Sequence, residues 1–75
     1  MKLMITLIKD KDDEEINPGE SIVFNVTEKE AYDINNLMST ENFDKLKDFF
    51  QSMKDINGEK HDIGINDIYG FEFRL

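Results

Sequence analysis

Seventy-five residues without cysteine allow one modest hydrophobic core and exclude both disulfide stabilisation and the usual zinc frameworks. Seventeen acidic against nine basic residues give a formal charge of −8, which disfavours nucleic acid and anionic membrane as ligands and predicts a basic protein surface as partner. A domain this short without cross-links is also expected to self-associate, most simply as a homodimer.

The chain opens with Leu3, Met4, Ile5, Leu7 and Ile8, a β-rich run that predicts a strand over Lys2 to Lys9, buried on much of both faces. The run is too short for a signal-peptide core or a membrane span, so a cytoplasmic location is expected. Asp10-Lys11-Asp12-Asp13-Glu14-Glu15 follows, and then Asn17-Pro18-Gly19, which is turn chemistry. Ile22, Phe24 and Val26 alternate on one face, which predicts a second strand over Ser21 to Val26 and a hairpin with a long acidic loop.

Thr27-Glu28-Lys29-Glu30 matches a capping box, with the Thr27 hydroxyl placed to accept from the Glu30 amide and the Glu30 carboxylate reaching back. The helix it starts carries Ala31, Ile34, Leu37 and Met38 at helical spacing, and Ser39-Thr40 reads as the cap of a second helix. That second helix is expected from Glu41 to Ile56, with Phe43, Leu46, Phe49, Phe50, Met53 and Ile56 on one face and Asn57-Gly58 as its left-handed stop. From His61 onward Ile63 and Ile65 alternate, then Tyr69, Phe71, Phe73 and Leu75, with Asn66-Asp67 as a turn. A closing hairpin or one bent strand is predicted. The fold class is therefore α+β, in the order β-β-α-α-β(-β), with a small antiparallel or mixed sheet and two helices on one face as a single domain. Its predicted core is Leu3, Ile5, Leu7, Ile22, Phe24, Val26, Phe43, Leu46, Phe50, Met53, Phe71 and Phe73.

Catalytic chemistry is poorly provided for. Acid-base and nucleophilic enzymes need a nucleophile, a base and an orienting group around a pocket, and this chain has one histidine and no cysteine. His61 and Asp62 are neighbours, but neighbours on a strand point to opposite faces, so His61 is expected to be exposed or structural. Asp10-x-Asp12-x-Glu14 begins like a calcium loop, yet Glu15 stands where that loop needs glycine and Ser21 where it needs its closing glutamate. Asn17-Pro18-Gly19-Glu20 has an isolated glycine with no adjacent cation and is no phosphate cradle. No catalytic residue, metal or cofactor is predicted.

The charges that remain are organised. On a helical wheel at about 100° per residue, Glu41, Asp44, Asp48 and Asp55 fall within roughly 60° of one another, opposite the apolar arc. Such a stripe would extend about 21 Å at about 1.5 Å of rise per residue, with intervals that bracket the spacing of phosphates along a nucleic-acid strand. Lys45, Lys47 and Lys54 border it and offer the ion pairs of any solvated helix face. Asp12, Asp13, Glu14 and Glu15 form a second cluster, with only Lys11 close in sequence to compensate. These eight carboxylates are the candidate partner-binding residues.

In its short length, absence of cysteine, acidity and α+β pattern, the chain resembles the small DNA-mimic proteins that phages make against host DNA-binding proteins. Its high lysine-to-arginine ratio and its many Ile, Asn and Asp, the usage of AT-rich codons, agree with that resemblance. The resemblance implies inhibition of a basic host protein, whose DNA groove or channel is filled by carboxylates in place of phosphates. Leu46-x-x-Phe49-Phe50 is similar to the apolar half of peptides that dock on replicative sliding clamps, although Phe43 stands where those peptides carry glutamine. A clamp, whose channel is basic, is the first candidate partner. CRISPR effectors and restriction enzymes are others, and an antitoxin, an immunity protein or an acidic accessory subunit would share the same composition.

Overall fold

A computed structural model describes every residue from Met1 to Leu75. Strands β1 (Lys2–Ile8) and β2 (Pro18–Asn25) are followed by helices α1 (Glu28–Ser39) and α2 (Phe43–Ser52), a single 3-10 turn (Ile65–Asp67) and strand β3 (Ile68–Arg74). Both pairings are antiparallel and the strand order is β2-β1-β3, so the first strand is central and the other two are edges. No helix is long and apolar enough to cross a membrane.

Alternation builds the core. Leu3 lies opposite both Phe24 and Phe73, and Ile5 opposite both Ile22 and Phe71, so one sheet face carries these side chains together. Ala31 and Ile34 of α1, Leu46 and Phe50 of α2, and Met53 and Ile63 outside the helices close over that face. Burying a Leu, Ile or Phe side chain stabilises the fold by roughly 1.5–3 kcal/mol, which makes this shared face the main source of stability. The opposite face stays open and mixed, with Met4, Thr6 and Val23 half-buried and a hydroxyl pair, Thr6 Oγ1 to Ser21 Oγ, at 3.1 Å. β1 is thus fully buried on one face only.

Helix α1 begins as its sequence demands. Thr27 Oγ1 accepts from the Glu30 amide at 3.1 Å, and Glu30 Oε1 accepts from the Thr27 amide at 2.8 Å. It ends with the amide of Asn42 donating to Leu37 O and that of Glu41 to Met38 O, the crossed pair of a Schellman motif. Glu41 fills the left-handed position of that motif at φ 56°.

Four boundaries differ from expectation. Strand β2 starts earlier, at Pro18, and Gly19 is needed there because a Cβ would lie 2.9 Å from Lys9 Cα, just past the end of β1. Thr40 does not cap α2; its hydroxyl donates back to Asn36 O at 2.8 Å and finishes α1, while Asn42 precedes α2. Helix α2 stops at Ser52, not Ile56, because Met53 turns extended (ψ 147°) to bury its side chain. Lys54 and Lys60 then bridge, Gly58 (φ 81°) closes the turn between them, and Ile56 is 50 % exposed. The C-terminal segment takes the single-strand form of the two expected, but that strand, β3, starts only at Ile68, so Ile63 is buried without belonging to any strand. Leu7, Phe43, Phe71 and Phe73 are half-buried at the margin of the core, the two β3 aromatics because their strand is an edge.

Candidate partner-binding surface

The acidic loop is a closed structure. The Lys9 amide donates to Asn17 O at 2.9 Å across its base, and Asp10 Oδ1 accepts from the Asp12 amide at 3.0 Å. Lys11 leaves the loop's own acids and forms an ion pair with Asp67 in the 3-10 turn. Asp12, Asp13, Glu14 and Glu15 are all exposed, and none takes part in an ion pair. Lys11 also lines one cleft with Asp44, Lys47 and Gly64 to Asp67, which sets the base of the loop beside the N-terminal end of α2. The base of the loop and the start of α2, far apart in sequence, therefore lie side by side.

On α2, Asp44 and Asp48 are exposed one turn apart, separated by about 6 Å of rise. The lysines beside them form no ion pair with them. Lys47 reaches instead toward Asp62, at 3.8 Å, and Lys45 forms no ion pair. A shallow groove between the helices is lined by Asp33, Asn36 and Leu37 of α1 and by Lys45, Asp48 and Phe49 of α2. Glu41 is exposed in the linker that precedes the helix.

Asp55 does not belong with them. The helix has ended before it, and its side chain is only 7 % exposed. Asp55 Oδ1 accepts the amides of Asn57 and Glu59, at 2.8 and 3.0 Å, and Oδ2 lies 2.7 Å from His61 Nε2. The hydrogen bond to His61, then the backbone bond from Glu59, hold this carboxyl below its ordinary value of 3.8, against the opposing effect of burial. The stripe read from a continuous helix is thus reduced to Asp44 and Asp48, with Glu41 before them and the loop cluster beside them.

The Asp55–His61 pair is a contact that helical periodicity concealed. Its signal was present as Asp55-x-Asn57-Gly58, since Asp at the first and Gly at the fourth position favour a β-turn. His61 packs edge-on against Phe24, with ring centroids 6.2 Å apart, and so clasps the turn to the core. Asp55, Glu59 and His61 offer donor atoms within 4.8 Å of one another, the one grouping suited to a divalent cation. Both Asp55 oxygens are already engaged in folding the turn, which gives the grouping a complete structural role. Asp62, the sequence neighbour of His61, instead accepts from Gln51 Nε2 at 2.7 Å.

The clamp-peptide similarity does not survive folding as a docking motif. Leu46 is 1 % and Phe50 3 % exposed, both committed to the core, and Phe49 is half-buried. Neither protein-family models, nor curated proteins, nor solved structures contain a match to the chain.

Proposed function

We propose that the protein binds a basic, DNA-binding protein and competes with DNA for it, presenting carboxylates where that partner expects phosphates. The observation that carries this reading is the distribution of ion pairs. Asp12 to Glu15, Glu41, Asp44 and Asp48 are all exposed and form none, although Lys11, Lys45 and Lys47 lie close to them in sequence. Neighbouring charges can pair at i, i+3 or i, i+4 spacing, as Lys29 and Asp33 do here at 3.8 Å, whereas these carboxylates are left free to meet a partner's cations. Unpaired carboxylates gain charge-assisted hydrogen bonds and steered association when they meet a lysine- and arginine-lined groove. Glu41 supports the same reading, because a glutamate in a left-handed position costs stability that glycine would not.

The DNA channel of a replicative sliding clamp is the first candidate. With Leu46 and Phe50 buried, binding rests on the acidic surface and not on insertion of an apolar peptide. The test is the Asp44→Lys/Asp48→Lys double variant, in which both changes lie on the exposed side of α2. Its fold should remain intact, with a small loss of melting temperature because Asp44 lies in the first turn of α2, while affinity for the clamp falls more than about tenfold, roughly 1.4 kcal/mol. Raised salt and competing duplex DNA should each weaken the wild-type complex. Binding that ignores salt, DNA and the reversals would leave acidity as a solubility device and overturn the reading.

A further inference from the structure

The two edges of the sheet are treated differently. On β2, Val23 O accepts the Ile56 amide at 2.9 Å, and Pro18 removes a donor at the start of the strand. The turn clasped by Asp55 and His61 therefore covers that edge. On β3 nothing comparable exists: once the Ile68 amide has closed the 3-10 turn by donating to Ile65 O, residues 69 to 74 pair with β1 on one side and make no other backbone hydrogen bond. The bare edge is also aromatic. Phe71 and Phe73 stand half-buried on the helix-covered face, in edge-to-face contact at 5.8 Å, and Leu75 beyond them is fully exposed. An exposed edge of this kind, without proline or lysine, is a template for another strand.

We infer that the occupant is a second copy of this chain, joined β3 to β3 in antiparallel register about a two-fold axis at Phe73. Three observations select that arrangement. First, in a two-fold antiparallel pair residues i and j meet with a constant even sum, so the axis must pass through a single residue position. Second, the charges discriminate among positions. An axis at Glu72 sets Glu72 against its own copy, whereas an axis at Phe73 sets each Glu72 opposite an Arg74. Within one chain Arg74 Nη2 already lies 2.7 Å from Glu72 Oε1, so both side chains leave the strand on the face where the crossed pairs would form. Third, the same register places Phe73 on Phe73 and Phe71 on Leu75, which covers the apolar side chains that one copy leaves uncovered. The result is a continuous six-stranded sheet, with three strands from each copy. The acidic loop and the outer face of α2 take no part in the contact, so the dimer stands or falls independently of the proposed partner.

Analytical ultracentrifugation over a concentration series, from about 1 μM to about 1 mM, tests the register as well as the association. The wild type should pass from monomer to dimer within that range, since a pairing confined to one strand edge buries a small interface. Arg74→Glu alone, and Glu72→Arg alone, oppose like charges and should each weaken association by about tenfold or more. The double variant Glu72→Arg/Arg74→Glu recreates both crossed pairs and should recover association to within about threefold of wild type. Glu72 and Arg74 are exposed, at 49 % and 66 %, and circular dichroism melts should show the monomer fold unchanged in all three variants. A monomer across the whole range, a dimer indifferent to the single reversals, or a double variant that stays as weak as the singles would each overturn the arrangement.

Discussion

His61 Nε2 and Asp55 Oδ2 lie 2.7 Å apart, and this contact ties the turn after α2 to the edge of the sheet. Because folding holds the Asp55 carboxyl below its ordinary value of 3.8, the unfolded chain takes up its proton first as pH falls. The associated stability is therefore fully present above that ordinary value and is lost progressively as pH descends through the depressed folded value. Thermal melts over a pH series should show an acid limb that is shallower in Asp55→Asn than in the wild type, with the two curves converging at the lowest pH. Parallel curves would separate Asp55 from acid sensitivity.

Phe50 and Phe49 are chain neighbours with different fates. Phe50 is 3 % exposed in the core, while Phe49 is half-buried on the rim of the groove between the helices. Phe50→Ala should cost about 3–5 kcal/mol, a large share of the stability available to a domain of this size. Phe49→Ala should cost less than half of that, because its site is already open and leaves no closed cavity. Urea unfolding of the two variants checks the order, and equal losses would mean that the register of α2 is wrong.

The backbone at Glu41 yields a prediction of the opposite sign. A left-handed conformation costs an L-residue roughly 1–2 kcal/mol, and glycine gives back part of that relief as entropy, about 0.5–1 kcal/mol. Glu41→Gly should therefore stabilise the fold by about 0.5–1 kcal/mol, and it should weaken the proposed partner complex because a carboxylate is lost. Denaturation and affinity measured on the same preparation test both statements. Stabilisation with unchanged affinity would remove Glu41 from the binding surface.

Where structure follows from neighbours in the chain, the sequence was a sufficient guide. The alternation Ile22, Phe24, Val26 and the capping box of Thr27 and Glu30 depend on residues within one strand or one turn, and both form as read. The end of α2 is different. Met53 and Ile56 share a helical period with Phe50, yet Asp55 to Gly58 is equally good turn chemistry, and only the tertiary structure chooses between them. Covering the outer edge of β2 with the Ile56 amide, and packing His61 on Phe24, are gains available to the turn and not to a longer helix. For the same reason Asp55 left the acidic surface while Asp44 and Asp48, inside the helix, remained on it. The convergence of the acidic loop with the start of α2 was hidden as well, since it is made by the ion pair of Lys11 with Asp67, distant in sequence.

The central position of β1 has a kinetic consequence. Its pairing with β2 closes a short loop, but its pairing with β3 runs from Lys2 opposite Arg74 to Leu7 opposite Ile68, so the sheet joins the two ends of the chain. The entropy of closing so long a loop has to be met before those contacts contribute, and non-local pairings of this kind slow folding. The β1–β2 hairpin and α1, built from local contacts, are the segments able to form early. β3 is expected to dock last, and until it does, one edge of β1 stays open with Leu3 and Ile5 beside it. Chains stalled on the ribosome should therefore remain protease-sensitive, and only those carrying a C-terminal linker long enough to bring the strand ending at Arg74 out of the exit tunnel should become resistant, in a single step.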